Sequence, residues 1–333
     1  MGAADDDVDS LAADSGDEEK LRASAKTVIE TCMQLRSHEN LLVITDPNTA
    51  EIGQVLYEAG SQVSDRVLMV MMPSTHRHGQ EPPAPVADLM RRQHVVIAAT
   101  RYSLTHTRAR LISSKDGARI ATMPGVTRSM FIEGGMTTDF DVLQTQIAGM
   151  ARILRKHRDI SIKNNDGDSL EFTISGRWNL EDNGICNRPG QVTNLPAGKI
   201  FADVKPESVN GVMKINGTWD SISISEPICV IIDEGRVVDI QAPDEGVLNE
   251  QILEFIDENR DSIKMVEFGF GMNPKARISG SALEDEKVLG SCYIVLQQPA
   301  SRRSHEIRAT GILIDSTVML GDYNLIENGK FNE

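Results

Sequence analysis

Apolar residues recur along this chain in short continuous blocks, and from about residue 21 these blocks alternate with amphipathic stretches. Leu21 to Leu35 has helical spacing. Leu41-Leu42-Val43-Ile44-Thr45 is apolar on both faces and stops at the turn Asp46-Pro47-Asn48, which reads as a short buried strand. The spacing then predicts a helix over Ala50 to Ala59, a strand over Arg66 to Met71, a helix near Val86 to Arg92 and a strand over His94 to Ala99. Asp139 to His157 is the last helix of this half. Strands with no polar face, separated by helices, belong to a parallel sheet covered on both sides, because the crossover helices lie on its faces. Ligands of such sheets gather at the carboxyl ends of the strands, here the loops after Thr45, Met72 and Ala99.

Beyond residue 160 the period changes. Ile160 to Lys163 and Leu170 to Ile174 flank Asn164-Asn165-Asp166-Gly167-Asp168, a hairpin whose turn is rich in residues that accept positive φ. Gly167 is misplaced for a calcium loop and no helices flank the segment, so it is a turn. Further strands are predicted at Ile228 to Ile232, Arg236 to Ile240, Met265 to Phe268, Ser291 to Leu296 and Thr317 to Leu320, with a helix at Leu248 to Asn259. The expected fold class is α/β: an N-terminal layered α/β domain with a mostly parallel sheet over 21–160, then a C-terminal β-rich α+β domain over 161–333.

Charge and composition narrow the function. The 333 residues carry 34 basic and 49 acidic side chains, for a net charge of −15. Eight acids and one lysine stand in residues 1–20, a stretch too poor in apolar area to order itself and expected to be a disordered, solubilising tail. An acidic chain with 4% aromatic residues lacks the cationic clusters and stacking platforms of a nucleic-acid binder. It also has no apolar run of the roughly 18 residues that a membrane helix needs, and no secretory leader pattern at its start, so a cytoplasmic protein without nucleic-acid or membrane partners is expected. Cys32, Cys186, Cys229 and Cys292 are far apart and read as reduced thiols.

Several phrases are more specific than periodicity. They are Ser103-Leu104-Thr105-His106-Thr107-Arg108, Gly117 to Val126, Asn194-Leu195-Pro196-Ala197-Gly198-Lys199, Glu267-Phe268-Gly269-Phe270-Gly271-Met272-Asn273-Pro274, and Glu284-Asp285-Glu286-Lys287-Val288-Leu289-Gly290-Ser291. In this order, over roughly residues 21 to 330, the chain resembles the aminopeptidase T family of metallo-aminopeptidases, whose wider group includes the ring-cleaving 2,5-dihydroxypyridine dioxygenases. The resemblance implies an α/β domain, a β-rich domain, a cleft between them and a homodimer or other homo-oligomer. Family peptidases hold two divalent metals with two glutamates, two histidines and an aspartate. Carried over by motif, these positions fall on Lys199, Glu267, Tyr293, Arg308 and Thr310, so one ligand of five is kept.

Lysine and arginine are hydrogen-bond donors only and bring positive charge to a place where a dication would sit. No metal and no cofactor are expected. An iron centre of the dioxygenase type needs a histidine where Glu267 lies, together with the missing closing pair, and suffers equally. Lys199 and Arg308 would instead take over the electrostatic role of the metals, holding a small polar or anionic substrate beside Glu267, with Tyr293 and Thr310 adding hydroxyls. His106 follows a predicted strand end and can exchange protons near neutral pH; by resemblance it matches an acid–base histidine, with Leu104 against the substrate. His76 and His78 look like a metal pair but lie in a Gly- and Pro-containing loop that is read as cleft lining. Cys292 alternates away from Tyr293 and reads as a core residue. Three functions remain open: a metal-independent enzyme of hydrolytic, ring-opening or acid–base type, a non-catalytic binding relative, and a metallo-aminopeptidase whose ligands have shifted to residues such as Glu286, His305 and Asp315.

Overall fold

In the computed structural model, residues 5–164, 166–220, 222–242, 246, 250, 252, 255, 262–298 and 307–332 are described, with side chains from Ser15 onward except that of Ile307. The chain divides into two compact units, Met1–Gln144 with Glu181–Ala197 and Thr145–Leu180 with Gly198–Glu333.

The first unit is the layered α/β part. Its strands β1 (Leu41–Thr45), β2 (Val67–Met71), β3 (Val95–Ala99) and β4 (Arg119–Thr122) alternate with helices α1 (Asp5–Thr27), α2 (Ala50–Ser61), α3 (Ala84–Met90), α4 (Arg108–Lys115), α5 (Arg128–Ile132) and α6 (Phe140–Leu154). All residues of β1 and β3 are buried, as their continuous apolar runs require. The chain then forms β5 (Asp159–Lys163) and β6 (Ser169–Asn179) of the second unit before returning to the first with β7 (Val192–Asn194). The first sheet is parallel throughout, in the order β2-β1-β3-β4-β7.

Two boundaries differ from the sequence reading. The division falls at Gln144/Thr145 rather than near residue 160, and Glu181–Ala197 belongs to the first unit, because β7 pairs with β4 through Ile120 with Val192 and Thr122 with Asn194. A three-residue strand leaves no periodic signal to predict that return. The acidic stretch expected to be disordered is helical from Asp5 onward. Its C-terminal part supplies the reason: Leu21, Ser24 and Ala25 are buried, and extending an anchored helix is cheaper than nucleating one. Glu18 adds an ion pair to Arg128 at 2.8 Å.

The second unit is dominated by antiparallel pairing. Its further strands are β8 (Lys199–Val204), β9 (Asn210–Ile215), β10 (Thr218–Trp219), β11 (Ile222–Ser223), β12 (Ile228–Asp233), β13 (Arg236–Gln241), β14 (Lys264–Gly271), β15 (Cys292–Gln298), β16 (Ile307–Leu313), β17 (Thr317–Leu320), β18 (Tyr323–Glu327) and β19 (Lys330–Phe331). They run β11-β10-β16-β15-β14-β8-β6-β5-β17-β18-β19, with β9, β12 and β13 branching from β6. One face of the central strands buries Ile200, Phe268, Phe270, Cys292, Ile294 and Leu296, and Phe172 packs edge-on to Phe268 at 5.2 Å. The helix expected at Leu248 to Asn259 lies mostly outside the described residues. The two-domain α/β reading holds.

Candidate functional site

The other face of the central strands is polar, and strand register builds it. Lys199 pairs with Gly271, Phe201 with Gly269 and Asp203 with Glu267 across β8 and β14. Gly269 then faces Tyr293 and Glu267 faces Val295 on β15, while Val295 faces Thr310 and Gln297 faces Arg308 on β16. Paired residues and their i±2 neighbours share a face, so Lys199, Glu267, Tyr293, Arg308 and Thr310 stand on one side of four adjacent strands. Gly269 is required at its centre. A Cβ there would meet the Tyr293 ring at 2.4 Å, and Tyr293 is fully buried with Val295 and Ile312.

The charges on this face neutralise one another. Lys199 Nζ lies 2.9 Å from Glu286 Oε2 and 3.8 Å from Glu267 Oε1, and sits over the rings of Tyr293 at 4.6 Å and Phe201 at 4.9 Å. The Tyr293 hydroxyl donates to Glu267 Oε1 at 2.9 Å, and Arg308 donates to Glu267 Oε2 at 3.2 Å. Glu286 follows the short helix Ala282–Asp285 and accepts a second ammonium, that of Lys287, whose side chain is fully buried and also donates to the Leu283 carbonyl. Burial pushes the Glu286 carboxyl up, but the ammonium groups of Lys199 and Lys287 outweigh it and leave the group below its ordinary value. Arg308 is the open member, with 41% of its side chain exposed.

Thr310 is held at the margin of the face by Asp220, a residue that sequence reasoning missed. The Asp220 amide donates to the Thr310 carbonyl at 2.8 Å, and the Thr310 amide donates back to Asp220 Oδ1 at 2.7 Å. Asp220 has φ of 51° in the two-residue connection between β10 and β11. Burial raises its carboxyl to about 6, against the smaller effect of the Thr310 amide. Only its position in a hairpin turn marks it in the sequence.

The first unit holds the remaining candidates at the carboxyl ends of its parallel strands. Asp46 is buried after β1, accepting from the Arg101 amide at 2.7 Å and the Asn48 amide at 2.9 Å. Asn48 donates to Ser74 at 2.9 Å, so the loops after β1, β2 and β3 are tied to each other. His106 stands exposed in the turn before α4. Leu104, expected against a substrate, is fully buried in the core with Leu42, Ile44, Met72 and Val96; an apolar side chain two residues from an exposed tip gains more from that packing. In the loop after β2 the His76 amide donates to the Gln80 side chain, and His78 Nδ1 accepts from the Ser103 amide. Cys292 is buried, and burial pushes its thiol up to about 12, which fits a core residue and not a nucleophile.

The fold, a parallel α/β unit and a β-rich unit in one chain, is shared with known proteins. Two solved structures share the fold. The 2,5-dihydroxypyridine dioxygenase of Pseudomonas putida KT2440 matches with a TM-score of 0.76 and 14% identity over 94% of this chain and 96% of that one. Wild-type AmpT from Thermus thermophilus matches with a TM-score of 0.66 and 13% identity over 95% and 100%. The model of the 2,5-dihydroxypyridine 5,6-dioxygenase (NicX) family matches residues 20–292, and the chain belongs to that family. No curated protein matches it.

The resemblance implies a metal site, and the residues present do not fit one. Among the described residues no group of three or more His, Cys, Asp or Glu side chains is arranged to hold a metal ion. The ammonium of Lys199 stands between Glu286 and Glu267, where it takes up the negative charge that a dication would need. Of the alternative ligands, Glu286 is engaged by two lysines, Asp315 sits in a turn with φ of 58°, and His305 lies outside the described residues.

Proposed function

We propose that this family member is a metal-independent enzyme acting on a small polar or anionic molecule, by proton-transfer chemistry of hydrolytic or ring-opening type. Arg308, Lys199 and Thr310 form the cradle. Glu267 and the Tyr293 hydroxyl form a proton-sharing pair, and His106 serves as acid or base. The observation that carries the reading is the place of Lys199, 2.9 Å from one carboxylate and 3.8 Å from another on the face that matches the family's ligand positions. A fixed ammonium supplies positive potential without a metal's demand for several anionic ligands. Arg308 adds an exposed fork suited to a carboxylate or a phenolate-like oxygen.

Calorimetric titration with zinc, manganese and ferrous iron tests the premise: none should bind stoichiometrically, and one equivalent bound at micromolar affinity or tighter would overturn it. 2,5-Dihydroxypyridine, the compound in the family's name, is the first probe of the cradle. Its binding should weaken about tenfold in Arg308→Ala, the loss of one charged hydrogen bond. Turnover of any substrate found should fall in His106→Ala.

A non-catalytic binding relative is the second reading. It is favoured by the mutual saturation of Lys199, Glu286, Lys287 and Glu267, which leaves Arg308 as the reachable charge of the cluster. Binding of the probe at the cradle with no turnover across a screen of ring and amide substrates would select it.

A further inference from the structure

The loop between β2 and α3 grips the loop between β3 and α4 at two points, one on each side of His106. On the near side, the Ser103 amide donates to His78 Nδ1 at 3.1 Å, the Gly79 amide donates to the Ser103 carbonyl at 2.8 Å, and the His78 ring stands edge-on to Tyr102 at 5.3 Å. On the far side, the Glu81 carboxylate accepts the first amides of α4, from Arg108 and, at 3.0 Å, from Ala109. Three residues of one loop, His78, Gly79 and Glu81, thus fasten both ends of the stretch Tyr102–Ala109. The turn has a third anchor from below, where Thr105 Oγ1 lies 2.7 Å from Thr122 Oγ1 and 3.2 Å from Asn194 Oδ1.

We infer that His78 and Glu81 are positioning residues that clasp the His106 turn, and that the clasp is closed only while the His78 imidazole is neutral. The inference rests on the acid–base reading of His106 for its functional meaning, but its geometry is independent of that reading. An imidazole nitrogen that accepts an amide must offer a lone pair. Protonation puts a hydrogen on that nitrogen and sets two donors against each other. His78 is exposed as a residue, but its ring stands against Tyr102, and the partial loss of solvent there holds the imidazole below its ordinary value and keeps the acceptor available at neutral pH. The other charged and titratable groups are His76, Arg77 and Glu81 on its own loop and Arg101, Tyr102, His106 and Arg108 on the facing one. Arg101 is stacked over the Tyr102 ring at 5.3 Å and Glu81 is spent on helix amides, so the lowering at His78 comes from desolvation of its ring and not from a neighbouring charge.

Glu81 complements this device by different physics. A carboxylate on the first amides of a helix satisfies donors that have no partner within the helix and meets its positive end. A carboxyl group keeps an oxygen lone pair for an amide in either protonation state, whereas the imidazole nitrogen loses its lone pair when it is protonated. Acidification should therefore open the His78 side of the clasp and leave the Glu81 side closed.

Amide hydrogen exchange and nitrogen-15 NMR on the full chain read this directly, without any turnover. In the wild type the protection factor of the Ser103 amide should fall about tenfold as pH drops through the His78 titration, the factor for one lost hydrogen bond of ordinary strength. The Ala109 amide should keep its protection. His78→Asn retains an acceptor that does not titrate, so it should keep the Ser103 protection at neutral pH and abolish the step. His78→Ala should lose the protection at all pH values. A Ser103 protection within twofold of wild type in His78→Ala, or an unchanged pH step in His78→Asn, would overturn the clasp. A clasp that behaves as stated while His106→Ala leaves turnover intact would remove the acid–base role of His106 and leave the clasp standing.

Discussion

The strand-end loops of the first unit and the polar strand face of the second use polar side chains in opposite ways. At the strand ends of the first unit, Asp46, Asn48, His78 and Glu81 are bonded to backbone amides or hydroxyls, and their work is to hold loops in place. On the strand face of the second unit, Lys199, Glu267, Glu286, Lys287 and Arg308 are bonded mainly to one another. Loops need such ties because their amides lack ladder partners, whereas strands already have theirs and leave side chains to interact with side chains. The difference teaches where the loss of one side chain should leave another charge without its partner. The face is an assembly of charges that depend on each other, and removing one member strands another.

The largest effect should follow from Glu286→Ala. The change leaves the fully buried Lys287 ammonium with only a carbonyl and deprives Lys199 of its nearest carboxylate. Breaking such a pair on one side costs about 3–5 kcal/mol, because a charge stays buried without its partner. Urea denaturation at neutral pH measures it, and a loss below about 1 kcal/mol, the range of surface pairs, would show that the cluster is solvated. The pH dependence has a definite sign. The folded carboxyl lies below its unfolded value, so its stabilisation is present above the ordinary carboxylate range and is lost as pH falls through the lower, folded value. The gap between wild type and variant should narrow in acid.

A change at the margin of the same face should act in the other direction. Asp220 has a folded value of about 6 against 3.8 unfolded, so between those values the folded chain binds the extra proton and stability falls as pH rises. Asp220→Asn keeps an oxygen for the Thr310 amide and removes the buried charge. It should stabilise the chain by about 2–3 kcal/mol at pH 7.5 and by about half that at pH 5, on the conversion of about 1.4 kcal/mol per pH unit. Equal melting temperatures for wild type and variant across that range would mean that the carboxyl is solvated.

The same contrast explains what was legible in the sequence. The strands Leu41–Thr45 and Thr317–Leu320 were readable to the residue, because unbroken or alternating apolar runs announce burial. Lys199–Val204 and Ile307–Leu313 gave no strand signal by periodicity. Phe201 on the site face of the first and Gly311 on the core face of the second interrupt the alternation that betrays a strand. The phrases that carried the resemblance located the same residues, and the register brings Lys199, Glu267, Tyr293, Arg308 and Thr310 to one face. Glu286 as the bridge between two lysines was not legible, because sequence does not specify which ammonium reaches which carboxylate. Leu104 was placed against a substrate by resemblance alone, which does not fix the direction of a side chain, and here that side chain packs in the core.

The smallest effect belongs to the first unit and sets the baseline for the comparison. Thr107 caps α4: its hydroxyl accepts from the Arg110 amide at 3.2 Å and donates to the Leu104 carbonyl at 2.8 Å. Thr107→Ala should cost about 1 kcal/mol, the usual loss for an N-cap, and Thr107→Ser should restore most of it by keeping the oxygen. A hydroxyl does not titrate in the accessible range, so the cost should be the same at pH 5 and pH 8 in urea denaturation. The cost of Glu286→Ala and the gain from Asp220→Asn should both move with pH. A cost at Thr107 that varies with pH outside the His78 titration would mean that these loops carry a further charge coupling, and the division between loops that fasten backbone and a face that balances charge would fail.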